Sequence, residues 1–277
     1  MLNQRFALAE ENASLETFVI DPNISSKQTK KRPAMIVCPG GAYVKLAHRE
    51  SEPIALHYNS EGFHSFIFRY PVDNEQAQYP YPVLSLFQAL ALINKHAEEW
   101  FVDVSKIYVM GFSAGGHVAG LYANLWNNQE LIEQAGLVKA DLPKVKGVIL
   151  AYPLVKTAAR PSSDWADERR LFQCLYGSET PSQDQIAAVT LSNLINDETL
   201  PQFIWCAADD PVLNTADTIN YVLKLQEQKL SIEFHMFKNG EHGLALGDYA
   251  TANPGEGDVF HPLSLWPRLA RNWMREL

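Results

Sequence analysis

The residues best equipped for chemistry lie in three short runs, and the first is Gly111-Phe112-Ser113-Ala114-Gly115, a G-x-S-x-G pattern. A serine hydroxyl is a weak nucleophile at neutral pH and needs a base within hydrogen-bond reach, itself oriented by a third group. Both helpers are available downstream. Gly240-Glu241-His242-Gly243 presents a histidine between glycines, and Ala208-Asp209-Asp210-Pro211 presents two carboxylates. The expected chemistry is acyl transfer, with Ser113 as nucleophile, His242 as general base and an aspartate holding the imidazole in one tautomer. Adjacent side chains on an extended segment point apart, so only one of Asp209 and Asp210 can serve. Pro211 restricts the residue before it to extended backbone, which favours Asp210; Asp209 stays open as the alternative. Acyl transfer also needs backbone donors where the carbonyl oxygen becomes negative. Pro39-Gly40-Gly41-Ala42-Tyr43 suits that task. The expected donors are Gly40, Gly41 and Ala42, Gly41 foremost, together with the Ala114 amide beside the nucleophile.

These residues must be positioned by strands and helices, and the hydrophobic pattern supplies them. A strand over 107–110 runs into the serine and a helix over 118–123 leaves it. That strand–turn–helix context is what a nucleophile elbow requires, with small residues flanking the serine. Further strands are expected over 15–20 (an edge), 33–38, 63–68, 145–151, 203–207 and 231–237. Helices are expected within 48–59 after Pro53, from Pro82 with Val83, Leu86, Phe87, Leu90 and Ile93 at helical spacing, and over 215–228 and 266–277. Continuous apolar strands alternating with helices predict an α/β fold with a mostly parallel sheet covered on both faces. The aspartates and the histidine each follow a strand, as do the glycines of 39–43, so all gather at the carboxyl edge of that sheet. Residues 154–200 break the rhythm with short helical pieces near 164–176 and 181–188. They are expected to form a small cap inserted into a single domain over 1–277.

The chain has 277 residues, 47% of them hydrophobic and 20% charged, with a net charge of −9. This balance speaks against nucleic acid, whose binding rests on Lys and Arg contacts to phosphate. The one basic cluster, Lys27, Lys30, Lys31 and Arg32, reads as a solvated loop. No apolar run spans a bilayer and no signal-like segment opens the chain, so no membrane association and a cytoplasmic location are expected. Three cysteines without regular spacing read as buried thiols rather than disulfides or a zinc site. His117, inside the helix after Ser113, reads as structural, and the other histidines show no metal-binding spacing. No cofactor or metal is expected, and nothing in the sequence addresses oligomeric state.

The chain resembles the α/β-hydrolase superfamily, and within it the small bacterial esterases of the acetylesterase and acetyl-xylan-esterase-like group, related to hormone-sensitive-lipase-like carboxylesterases. The resemblance is carried by Pro39–Tyr43, His48-Arg49-Glu50 with Glu52-Pro53, Phe68-Arg69-Tyr70, Gly111–His117, Ala151-Tyr152-Pro153, Ala208–Val212 and Gly240–Gly243. It implies a serine esterase acting without a cofactor on small-molecule esters of short acyl groups, often acetyl groups on sugars. In such esterases the acid precedes a proline or small residue, with an aliphatic residue three places on, which Asp210, Pro211 and Leu213 match. The chain departs from the pattern at Pro39 and Ala42, where lipase-like relatives carry His-Gly-Gly-Gly, and at Asn214, where a proline is usual. Tyr43 and Tyr152 are expected to bind substrate by crowding the acyl side, with Trp165, Phe172 and Tyr176 of the cap lining a compact pocket. An amidase or arylformamidase would use the same three residues. A non-catalytic binding protein of this fold would be expected to lack one of them.

Overall fold

A computed structural model describes residues 1–10, 12–21, 30–157, 165–252 and 261–277, with only the backbone given for 165–167. Eight strands form one sheet in the order β1-β2-β4-β3-β5-β6-β7-β8. They are β1 (Arg5–Ala7), β2 (Ser14–Phe18), β3 (Arg32–Cys38), β4 (His64–Arg69), β5 (Val102–Phe112), β6 (Val145–Ala151), β7 (Gln202–Ala207) and β8 (Ile232–Phe237). From β4 to β8 all pairings are parallel, while β1 and β2 add an antiparallel margin. The strand expected at the edge is therefore second from it. β1 was invisible in the sequence because three residues alternating in exposure carry almost no hydrophobic signal.

Alternation along the strands divides the core into two layers. Ile36, Val109, Val148, Leu150 and Ile204 face one side, where α2 (Tyr81–Lys95), α3 (Ser113–Leu125) and α7 (Thr215–Glu227) pack. Met35, Val37, Met110, Ile149, Phe203 and Trp205 face the other, against α1 (Glu52–Ser60) and α8 (Trp266–Glu276). Both faces of the central strands are thus buried, which is why they read as unbroken apolar runs. Each fully buried Val, Leu, Ile or Phe contributes about 1.5–3 kcal/mol relative to exposure.

Between β6 and β7 the chain forms α5 (Trp165–Tyr176) and α6 (Gln183–Val189). α5 presents Phe172, Cys174 and Leu175 inward, and Tyr176 shares a hydrogen bond with Thr157. The segment is tied to the site at its root, where Leu154 N–H donates to the Ser113 carbonyl at 3.0 Å. The expected helix start at 164 and the Trp165 side chain lie outside what is described. So does Lys27 of the basic cluster, whose neighbours Lys31 and Arg32 engage Glu98 and the Gly62 carbonyl. The three cysteines are free and buried.

Candidate active site

The elbow is built by close contact that only glycine permits. A Cβ on Gly111 would lie 2.2 Å from the Gly115 carbonyl oxygen, and one on Gly115 would lie 2.1 Å from that of Cys38. Strand β5 therefore turns directly into α3, and the turn presses against the end of β3. Ser113 itself sits at φ +50°, the left-handed region that L-residues adopt only when the surroundings enforce it.

Two loops bring their side chains to this turn. Ser113 Oγ lies 2.8 Å from His242 Nε2, and His242 Nδ1 lies 2.7 Å from Asp210 Oδ2. An ionised carboxylate only accepts, so Nδ1 carries the proton and Nε2 accepts from the serine hydroxyl. The other Asp210 oxygen, Oδ1, accepts from the Val212 and Leu213 N–H groups, both at 2.8 Å. Burial pushes the Asp210 carboxyl upward, but the hydrogen bond and charge of His242, with these two amides, hold it below its ordinary value. Asp209 points elsewhere: its Oδ1 accepts from Gly240 N–H at 2.8 Å and braces the histidine loop. Asn214, where a proline is usual, caps α7 by accepting from Ala216 N–H at 3.2 Å.

The glycine loop after β3 abuts the elbow, since a Cβ on Gly40 would stand 2.9 Å from Ser113 Cβ. Its turn places Gly41 at φ +128° and both Ala42 and Tyr43 near φ +60° (57° and 61°). The amides of Gly41, Ala42 and Ala114 donate no loop or cap hydrogen bond among the described residues. Gly40 is different and corrects the expectation for it: its N–H is already taken, donating to Glu50 Oε2 at 2.8 Å. Tyr70 Oη–H anchors the start of the loop on the Pro39 carbonyl at 2.7 Å.

Neither tyrosine expected to touch substrate is placed to do so. Tyr43 is fully buried, donating its hydroxyl to His117 Nδ1 at 2.7 Å. His117 in turn donates from Nε2 to the Val189 carbonyl at 2.7 Å, and burial pushes its pKa down to about 4. Tyr152 is 3% exposed; its hydroxyl donates to Glu50 Oε1 at 2.7 Å and accepts from Ala245 N–H at 3.1 Å. Its ring meets the His242 imidazole edge-on, with centroids 5.1 Å apart. Both correct the sequence reading for one reason: each hydroxyl finds its partner inside the protein, which lets the whole ring be buried rather than turned to the pocket. Glu50 was not singled out in the sequence, where it stood only as one letter of the His48-Arg49-Glu50 motif. Among the described residues no group of three or more His, Cys, Asp or Glu side chains is arranged to hold a metal ion. No described helix is long and apolar enough to cross a membrane.

A mostly parallel sheet with a serine elbow after its central strand, and an aspartate and a histidine on later strand-end loops, defines an α/β-hydrolase fold. The chain belongs to the BD-FAE family, whose model matches residues 20–225. It is 28% identical over 225 residues to endo-1,4-beta-xylanase B of Butyrivibrio fibrisolvens, covering 79% of this chain and 33% of that one. It is 22% identical over 219 residues to the acetylxylan esterase of Xylanibacter ruminicola, covering 78% of this chain and 42% of that one. The chain thus spans less than half the length of each of these two relatives. Among solved structures, the carboxylesterase Cest-2923 of Lactobacillus plantarum WCFS1 superposes with a TM-score of 0.85 at 26% identity, covering 99% of this chain and 96% of that one. The resemblance drawn from the motifs holds at the level of family and fold.

Proposed function

We propose that this chain is a serine carboxylic-ester hydrolase acting on short acyl, acetyl-type esters. The observation that carries the reading is the unbroken hydrogen-bonded series from Ser113 through His242 to the buried Asp210. In the first half-reaction Ser113 Oγ attacks the ester carbonyl carbon while His242 Nε2 takes the hydroxyl proton. The carbonyl oxygen gains the electron pair and is met by the amides of Gly41, Ala42 and Ala114. Collapse re-forms the carbonyl, expels the alcohol with the proton returned by His242, and leaves the acyl group on Ser113. Water then repeats the sequence and releases the acid. Asp210 keeps Nδ1 protonated and balances the charge on the imidazolium.

The acyl preference rests on the family and on the acetylxylan esterase among its relatives, which makes acetylated sugars the first alcohols to test. Tyr43 and Tyr152, both turned into the core, add no crowding to it. Residues 154–200 serve as the cap of a single domain in this reading, with Phe172 and Tyr176 of α5 beside each other at 5.9 Å. The test is a comparison of kcat/KM on acetyl, butyryl and decanoyl esters, an acetylated xylo-oligosaccharide and an N-formyl aniline. The acetyl esters are expected to lead. A faster decanoyl ester overturns the acyl assignment, and a faster formanilide overturns the ester assignment in favour of an amidase.

A further inference from the structure

Glu50 has no task in the acyl-transfer sequence, yet it sits between the two loops that perform it. It ends a short 3-10 turn over His48–Glu50 and is 3% exposed. Its two oxygens face opposite ways. Oε2 accepts from Gly40 N–H at 2.8 Å, on the loop whose next amides, Gly41 and Ala42, donate no loop or cap hydrogen bond among the described residues. Oε1 accepts from Tyr152 Oη–H at 2.7 Å, and a Cβ on Gly243, next to His242, would stand 3.6 Å from the same oxygen. Tyr152 carries the connection onward through its ring against His242 and its hydroxyl against Ala245 N–H. Burial raises the Glu50 carboxyl above its ordinary value; the Tyr152 and Gly40 hydrogen bonds and the charges of His242 and Arg49 oppose that rise. Holding a carboxylate in such a place is costly unless its partners satisfy it. A simple core position would be filled more stably by an apolar side chain.

We propose that Glu50 is a positioning residue that locks the oxyanion loop and the general base into one register. By drawing the Gly40 amide inward it fixes the peptide turn that leaves Gly41 and Ala42 N–H toward the developing oxyanion. By holding Tyr152 it sets the platform on which the His242 ring rests. Its negative charge also favours the imidazolium that forms as Ser113 attacks. The inference rests on the hydrolase reading above.

The experiment measures kcat and KM for an acetyl ester across pH, with thermal unfolding, for wild type, Glu50→Gln, Tyr152→Phe and Ser113→Ala. Glu50→Gln keeps the shape but loses the charge and must turn an amide N–H toward one of its two donors. Its kcat is expected to fall by at least about tenfold with KM within about twofold, the signature of an interaction made in the transition state. The acid limb of its rate profile is expected to move to lower pH, because the imidazolium has lost a neighbouring negative charge. Tyr152→Phe breaks the same connection and is expected to lower kcat with little change in KM. A Glu50→Gln enzyme of wild-type kcat, or one that loses thermal stability while its acid limb stays in place, overturns the proposal. If Glu50→Gln does not fold, Tyr152→Phe decides: a folded variant with lowered kcat sustains the proposal, and wild-type kcat overturns it. Turnover surviving in Ser113→Ala would instead overturn the hydrolase reading beneath it.

Discussion

Two neighbouring aspartates with opposite duties set the finest test at the residue scale. Asp210 faces His242 and collects two backbone amides, while Asp209 faces Gly240 N–H. Removing the charge from Asp210 frees the imidazole to take the other tautomer, a loss of about 10⁴ in kcat in another serine hydrolase. Asp210→Asn is therefore expected to fall by about that factor on an acetyl ester. Asp209→Asn keeps an oxygen for Gly240 and is expected to lose no more than about fivefold, the scale of one hydrogen bond. A larger loss in Asp209→Asn, measured side by side at one pH, would reverse the two roles. Asp210 also stays ionised while a histidine titrates, since its carboxyl is held low.

At the scale of elements, α3 is fastened to both its neighbours by His117, which accepts from Tyr43 beside the glycine loop and donates to Val189 at the end of α6. An imidazole kept neutral in this way has a sign to its pH dependence. The unfolded side chain takes up a proton near its usual value of about 6.5, but folded His117 resists until about 4. The unfolded state thus binds more protons inside that window, and stability rises with pH across it. Buried His64, also pushed down to about 4, acts in the same direction. The unfolding midpoint is expected to fall as pH drops from about 6.5 toward about 4, and His117→Gln is expected to flatten that slope. A slope unchanged in the variant would remove His117 from the account.

Much of this scale could be read from residue order. The elbow, the aspartate loop and the histidine loop each follow an apolar strand, and strand ends of a parallel sheet converge whatever the intervening lengths. Spacing fixes which residues meet at an edge, but not which way a ring turns after it. Tyr43 and Tyr152 themselves sit at positive φ, 61° and 35°, which no hydrophobic period encodes. The occupied Gly40 amide likewise depends on Glu50, ten residues away in a turn of irregular backbone.

Across the whole molecule the site depends on the helix at the far end of the chain. Trp266, the first residue of α8, is fully buried, stacks on Trp205 of β7 and donates Nε1–H to the Ala245 carbonyl at 2.8 Å. Ala245 lies in the histidine loop at φ +54°, held on its other side by Tyr152. The second core layer and the histidine loop are thus one packed unit. Trp266→Ala is expected to cost about 3–5 kcal/mol, as large aromatic truncations do, and to lower kcat in whatever protein remains folded. Denaturant unfolding reads the first effect; a loss under about 1 kcal/mol would show that α8 is not needed to hold the loop.

Turnover of an acetyl ester by purified Ser113→Ala tests most directly whether Ser113 performs the chemistry. The hydroxyl's only hydrogen bond among the described residues is to His242, so the variant should fold and unfold like the wild type. Its kcat is expected to drop by about 10⁴ or more, since removing the nucleophile of a comparable triad abolishes almost all rate beyond binding and the oxyanion donors. A folded Ser113→Ala protein hydrolysing the ester within about tenfold of the wild-type rate would contradict the account.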